Sequence, residues 1–440
     1  MKDTPINFEV VKSKIESSGI PSIGKATIRE LVKLVNEIEA VTGDRYIRME
    51  MGVPGLPTPQ IAIDAEIDAI KYKGATAKYP NLEGLPELKK EISRFVKLFL
   101  NIDVKPSGCV PTVGSLQGGL ISFITIDRMY EDRDTMLYID PSFPLQKQQL
   151  NVLGQKYVSF DVYNYRGKKL KDKLESYFKN GNVHSVLYSN PNNPSWICFT
   201  EEELQIIGEL ANKYNVIIIE DLAYFCMDFR QDMSKPGEPP YQPTVAKYTD
   251  NYILLISTSK AFSYAGQRVG MMVISDKLYN LKAPGLKRFF KTDTLGYSMI
   301  FGTYYMLTAG ACHSAQYGIA AILKAVNEGK YNFRDDVIEY GKKAKIMKKM
   351  FVENGFKIVY DYDGDDPIAD GFYFTISYPG FTGEELLEEL IYYGISAISL
   401  SITGSERNEG LRACVSLVQR DLFPDLKYRL EKFREHHPVK

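Results

Sequence analysis

The chain has 440 residues, 44% of them hydrophobic and 25% charged, with a formal net charge of −1. This length exceeds one small core and predicts two domains. The near-zero charge excludes a global attraction to nucleic acid or anionic lipid, and no run approaches the roughly 20 apolar residues of a membrane span. Four histidines argue against a zinc site, and five scattered cysteines without C-x-x-C spacing read as reduced thiols of a cytoplasmic protein. The start, Met1-Lys2-Asp3-Thr4-Pro5, is charged and does not read as a signal peptide.

In chain order, the first 50 residues are helical near Ile28–Val41 and are expected to pack with the C-terminal part. In Pro111-Thr112-Val113-Gly114-Ser115-Leu116 a strand ends, a glycine turns the chain and a helix follows over Leu116–Met129. Such a turn aims backbone N–H groups at an anion, although Gly-Ser ahead of a helix is also a simple cap. Apolar runs at Met136–Asp140, Val183–Ser189, Val216–Glu220, Ile253–Ser257 and Val269–Ser275 predict strands. Between two of them, Thr200 caps a helix over Glu201–Tyr214 whose first turn is acidic. This alternation predicts an α/β fold with a mainly parallel sheet covered by helices on both faces. The Pro-rich stretch Lys235–Pro243 reads as a surface loop.

After residue 310 the style changes to α+β. An amphipathic helix is expected near Asp335–Asn354, followed by strands at Phe372–Tyr378, Ile395–Leu400 and Arg412–Leu417. Helices are expected at Gly383–Tyr393 and at about Pro424–His436. The expected division is a large sheet-bearing domain over 51–310 and a small domain from 1–50 and 311–440.

Candidate chemistry gathers at strand ends, where open α/β sheets bind ligands. Lys260, in Ser257-Thr258-Ser259-Lys260, can condense with an aldehyde, and Arg268, eight residues on, can hold a phosphate with its planar fork. Pyridoxal phosphate carries both groups. Asp221, led in by Ile217-Ile218-Ile219-Glu220, could keep a pyridine nitrogen protonated or cap the next helix; Glu220 should point the other way. Phe143 could stack on a ring or serve as a core aromatic. Asn193, in Asn190-Pro191-Asn192-Asn193-Pro194, could bind a ring hydroxyl or simply make a turn. Arg412, opening a strand, could take a substrate carboxylate bidentately or lie solvated at a strand end.

With these motifs in order, the chain resembles the class I/II aminotransferases of the fold-type I pyridoxal phosphate enzymes, from about Gly52 to Arg412. The resemblance implies a seven-stranded sheet in the large domain, and it implies transfer of an amino group between an α-amino acid and a 2-oxo acid. It makes Lys260 the Schiff-base lysine and proton shuttle, and Asp221 the partner of the pyridine nitrogen. Tyr224 and Asn193 become ligands of the ring hydroxyl, and Phe143 the stacking aromatic. Gly114, Ser115, Leu116, Ser257 and Arg268 fall on the phosphate site, and Gly52 and Arg412 on the substrate carboxylate contacts. Tyr79 resembles the tyrosine that reaches the neighbouring subunit's phosphate, implying a homodimer with shared active sites. A cis Asn193–Pro194 bond is also implied.

There are departures. Ser195-Trp196 stands where the family usually has Ser/Thr-Gly, placing the only tryptophan beside the expected site, where it bears on substrate size. No arginine clearly serves a second substrate carboxylate, and Lys291 sits in a surface-like charge run. A carbon–sulfur β/γ lyase would use the same residues. A non-catalytic effector-sensing domain is the third reading, disfavoured because only about 50 residues precede Gly52.

Overall fold

Seven apolar segments pair into one sheet in a computed structural model that describes residues 3–439. They are β1 (Cys109–Thr112), β2 (Thr135–Asp140), β3 (Lys156–Asp161), β4 (Val183–Ser189), β5 (Ile217–Leu222), β6 (Tyr252–Ser257) and β7 (Gly270–Ile274). Their spatial order is β1-β7-β6-β5-β4-β2-β3, and only β7 runs against its neighbours. The architecture is the predicted α/β one, with a mostly parallel sheet flanked by helices. The central strands read as near-continuous Val/Ile/Leu runs because both faces are covered; Leu187, Ile219, Ile253 and Leu255 are all buried.

One boundary and one whole strand differ from the reading of the sequence. β5 extends to Leu222, so Asp221 lies inside the strand rather than beyond it. β3 was not predicted: as an edge strand it is exposed at Lys156 and Val158 and lacks a continuous apolar run.

The chain divides into two units. One comprises residues up to Gly55, Asn193–Ile197 and everything from Ile338 on; the other comprises Leu56–Asn192 and Cys198–Val337. The change of style expected after residue 310 is matched by a change of unit only at 338, within the helix Phe333–Glu353. The reason is packing: the helix His313–Asn327 contacts the helices Gln60–Tyr72 and Pro86–Leu100 of the sheet-bearing unit and buries Ile319, Ile322 and Leu323.

The second unit carries a four-stranded antiparallel sheet of β8 (Lys357–Ile358), β9 (Tyr373–Ser377), β10 (Ile398–Ser399) and β11 (Leu411–Cys414), in the order β10-β11-β9-β8. The strand expected at Ile395–Leu400 is divided, because Ile395–Ser396 pairs instead with Ile47–Arg48 in parallel. The strand expected to reach Leu417 stops at Cys414. Past it, the Ser416 and Val418 carbonyls accept from buried Lys343 Nζ, each at 2.9 Å, rather than continuing the ladder. The N-terminal segment belongs here: Tyr46 Oη donates to the Ile391 carbonyl at 2.8 Å, and Arg429 donates to the Arg45 and Gly394 carbonyls, each at 2.6 Å.

The helix Glu201–Tyr214 delivers the chain to β5 and starts from a full capping box, in which Thr200 Oγ1 accepts from Glu203 N at 3.2 Å and Glu203 accepts from Thr200 N at 2.9 Å. Thr200→Ala is expected to lower unfolding free energy by about 1 kcal/mol, measured by urea denaturation.

Candidate active site

Strand register brings the candidate residues of the larger unit to one end of the sheet. Ser189 is level with Asp221, Leu222 with Ile256, and both Ser257 and Thr112 with Gly270. Because β7 is reversed, its beginning lies at the same end as the finishes of β1, β4, β5 and β6. The turn at Gly114-Ser115-Leu116 follows β1, Phe143 follows β2, Lys260 follows β6, and Arg268 precedes β7. Asp221 stands at the end of β5 among them.

Asp221 is buried, with 8% of its surface exposed. Its Oδ2 accepts from Gln146 Nε2 at 3.0 Å, while Oδ1 is buried with no hydrogen-bond partner. Burial pushes the carboxyl up to about 6, against the opposing pull of Gln146, the charge of Lys260 and the Ala223 backbone. A buried carboxylate oxygen without a donor is costly and calls for a ligand that supplies a positively charged N–H. Glu220 faces elsewhere, as strand alternation requires: it accepts from Thr244 Oγ1 at 2.5 Å, Val245 N at 3.2 Å and Tyr188 Oη at 3.2 Å.

Lys260 is half-buried in the four-residue helix Thr258–Ala261 rather than at the bare end of a strand. Ser257 caps this helix, its Oγ accepting from Ser259 N at 3.2 Å, and Thr258 Oγ1 donates to the Val269 carbonyl. The lysine-bearing turn is therefore tied to the segment that carries Arg268.

Gly114 and Arg268 form an anion cradle. Gly114 N donates to the Arg268 carbonyl at 3.1 Å, and a Cβ on Gly114 would stand 2.6 Å from Arg268 Nη2. Gly114 has φ +69°, so only glycine gives both the turn and the close approach without strain. No side chain caps the helix Gly114–Ile126, so the first-turn N–H groups after Gly114, those of Ser115 and Leu116, point to where an anion can bind. The exposed Arg268 guanidinium, with Nη1 held by the Ala265 carbonyl at 2.7 Å, adds fixed charge beside them. Together these features fit a ligand bearing an N–H cation, an anion and a carbonyl open to an amine.

Arg412 belongs to the other unit. It is buried on β11, where Nη1 donates to Asn193 Oδ1 at 3.1 Å and Nη2 to the Glu50 carbonyl at 2.5 Å. Neither contact is a carboxylate, and Nε is buried without a hydrogen-bond partner. A buried guanidinium in this state is ready for an anion. Asn193–Pro194 is cis, and Gly52 lies in the same unit, partly exposed.

The remaining candidates are spread out. Tyr224 is buried just after β5, and Phe143 is half-buried at the start of the helix Pro144–Leu153. Tyr79 is 92% exposed and Lys291 is exposed. Trp196 does not present its bulk at an open surface; it is fully buried. Gln146, which orients Asp221, was not singled out from the sequence. Three residues after Phe143, a glutamine in a helix start carries no signal of its own. Among the described residues there is no His/Cys/Asp/Glu cluster that could hold a metal, and no helix is long and apolar enough to cross a membrane.

The family described as Aminotransferase class I and II matches residues 45–420. A probable aspartate aminotransferase of Methanocaldococcus jannaschii is 27% identical over 354 residues, covering 80% of this chain and 82% of that protein. A (5-formylfuran-3-yl)methyl phosphate transaminase of the same organism is 21% identical over 93% of this chain and 95% of that protein. The solved structure of an alanine aminotransferase from Pyrococcus furiosus shares the fold, with a TM-score of 0.76 at 20% identity over 96% of this chain and 99% of that one.

The raised Asp221 carboxyl fixes a sign. The unfolded chain releases this proton near 3.8 and the folded chain near 6, so folding stability falls as pH rises through that window. In cofactor-free protein, Asp221→Asn should become more stable relative to the parent between pH 4 and pH 7, by on the order of 2–3 kcal/mol, measured by denaturation at each pH.

Proposed function

The chain belongs to the class I and II aminotransferases, and from that premise we propose that Lys260, Asp221, Arg268 and the turn at Gly114-Ser115-Leu116 hold pyridoxal 5′-phosphate for amino transfer between an α-amino acid and a 2-oxo acid. The observation that carries the reading is the buried, unpartnered Oδ1 of Asp221 at the sheet end that also bears Lys260 and the anion cradle. When bound, the cofactor supplies an aldehyde for imine chemistry and a ring that accepts electrons.

The chain's own residues do the rest. Asp221 takes the ring N–H on Oδ1 and, once paired with that cation, is held ionised despite its burial. Gln146 keeps its other oxygen fixed. Arg268, Ser257 and the helix start bind the phosphate, and Phe143 stacks on the ring. Tyr224 and Asn193 would be the ligands of the ring oxygen. Lys260 Nζ would hold the cofactor through its aldehyde and would be the base that moves the proton at the substrate Cα. A lysine suits this role because its basicity drops readily near other cations. Arg412 and the Gly52 segment hold the substrate carboxylate.

We also assign a cytoplasmic homodimer with shared active sites. Tyr79 is 92% exposed, an unusual state for a large aromatic. The helix Gln60–Tyr72 leaves Ile63, Ile67 and Ile70 exposed at i, i+4 and i+7, and Tyr305 and Met306 are exposed as well. Large exposed apolar surface of this kind suits burial by a second copy. The five cysteines are free thiols, four of them buried, in keeping with a reducing compartment.

Reduction of the loaded protein with borohydride should leave a cofactor adduct on the peptide containing Lys260, read by mass spectrometry. Lys260→Ala should lose both the adduct and turnover; an adduct on another lysine contradicts the assignment. Tyr79→Phe should weaken cofactor retention by about tenfold without changing the dimer mass in sedimentation, as expected for one lost charge-assisted hydrogen bond to phosphate.

A further inference from the structure

No sequence motif marks Tyr373, yet it stands at the centre of the Arg412 cluster. β9 and β11 run antiparallel with Tyr373 opposite Cys414 and Thr375 opposite Arg412, so Tyr373 and Arg412 are diagonal neighbours on one sheet face. Arg412 Cζ lies 4.5 Å from the centroid of the Tyr373 ring, over its face. The ring quadrupole attracts a guanidinium in this position and restricts where it can move. The hydroxyl end of Tyr373 abuts Gly52, where any Cβ would collide with it.

Behind Tyr373 lies Trp196. Their rings meet edge-on, with centroids 6.2 Å apart and planes at 67°. Trp196 has φ +64°, a backbone conformation that costs a tryptophan energy and that a glycine would take freely. Its indole fills the space over Gly371, where a Cβ would overlap the ring. A large side chain held in a left-handed conformation, opposite a glycine that makes room for it, marks a built contact rather than a loop accident.

We infer that Tyr373 is the positioning residue of Arg412, and that Trp196, wedged behind it, fixes the stack so that Arg412 presents its remaining N–H groups to the substrate carboxylate in one orientation. This rests on the reading of Arg412 as the carboxylate partner. The bulk of Trp196 then acts on how tightly any carboxylate is held, through Tyr373, and does not set the size of the substrate side chain.

The test titrates the cofactor-loaded protein with 2-methylpropanoate, an unreactive monocarboxylate, by calorimetry and by the emission of Trp196, the only tryptophan. Saturable binding with a change in that emission is expected for the parent. Tyr373→Phe keeps the ring and should bind within about threefold of the parent, whereas Tyr373→Leu should weaken binding by about tenfold and raise KM for the amino acid similarly, with kcat within about twofold. If Arg412→Leu binds the carboxylate like the parent, the reading of Arg412 itself falls. If Arg412→Leu loses binding while Tyr373→Leu binds like the parent, the positioning role alone is overturned. Should Tyr373→Leu fail to fold, the unaltered protein decides: carboxylate saturation that leaves Trp196 emission unmoved overturns the inference.

Discussion

A carboxylate buried at the end of a central strand, with one oxygen paired to a glutamine and the other to nothing, is the constraint around which the larger unit is arranged. Asp221 would be cheaper as an amide if stability were the only requirement, because the cost of burying its carboxylate outweighs the pull of the Lys260 charge. The chain keeps it there by register: Ser189 aligns with Asp221, and Ser257 and Thr112 with Gly270, which brings a lysine and an anion cradle to the same end of the sheet. The single reversed strand, β7, is part of this arrangement. Its reversal starts it at the end of the sheet that bears Asp221, so that Arg268 precedes it beside Gly114 rather than emerging at the far end.

The smaller unit holds a complementary case. Arg412 is a buried cation whose contacts are an amide oxygen, a backbone carbonyl and an aromatic face, none of which neutralises it. Each of these contacts constrains direction without supplying negative charge, the condition for binding a carboxylate strongly and in one orientation.

Much of this was legible in the sequence because the informative residues sit at strand ends, and buried parallel strands are conspicuous as apolar runs. Lys260, Asp221 and Arg412 were placed by the strand that precedes or contains them, and Arg268 by its spacing from Lys260. β3 escaped because an edge strand needs no continuous apolar run. The change of unit was set too early because the helix His313–Asn327 looks like its neighbours in composition, and only its packing assigns it to the sheet-bearing unit. Gln146 and Tyr373 were illegible for a different reason. Gln146 meets Asp221 across 75 residues and Tyr373 meets Arg412 across a strand pair, and neither residue type is unusual where it stands. Trp196 was noticed as a departure, but its exposure could not be read from the sequence, and its burial changes its meaning.

The most direct measurement mixes the cofactor-loaded protein with single amino acids in the absence of any 2-oxo acid and quantifies both products. An aminotransferase yields one equivalent of 2-oxo acid per active site and stops, with the cofactor recovered as pyridoxamine phosphate. Continued formation of oxo acid with ammonia release and an unchanged cofactor would contradict amino transfer, as would the absence of any conversion across the set of amino acids.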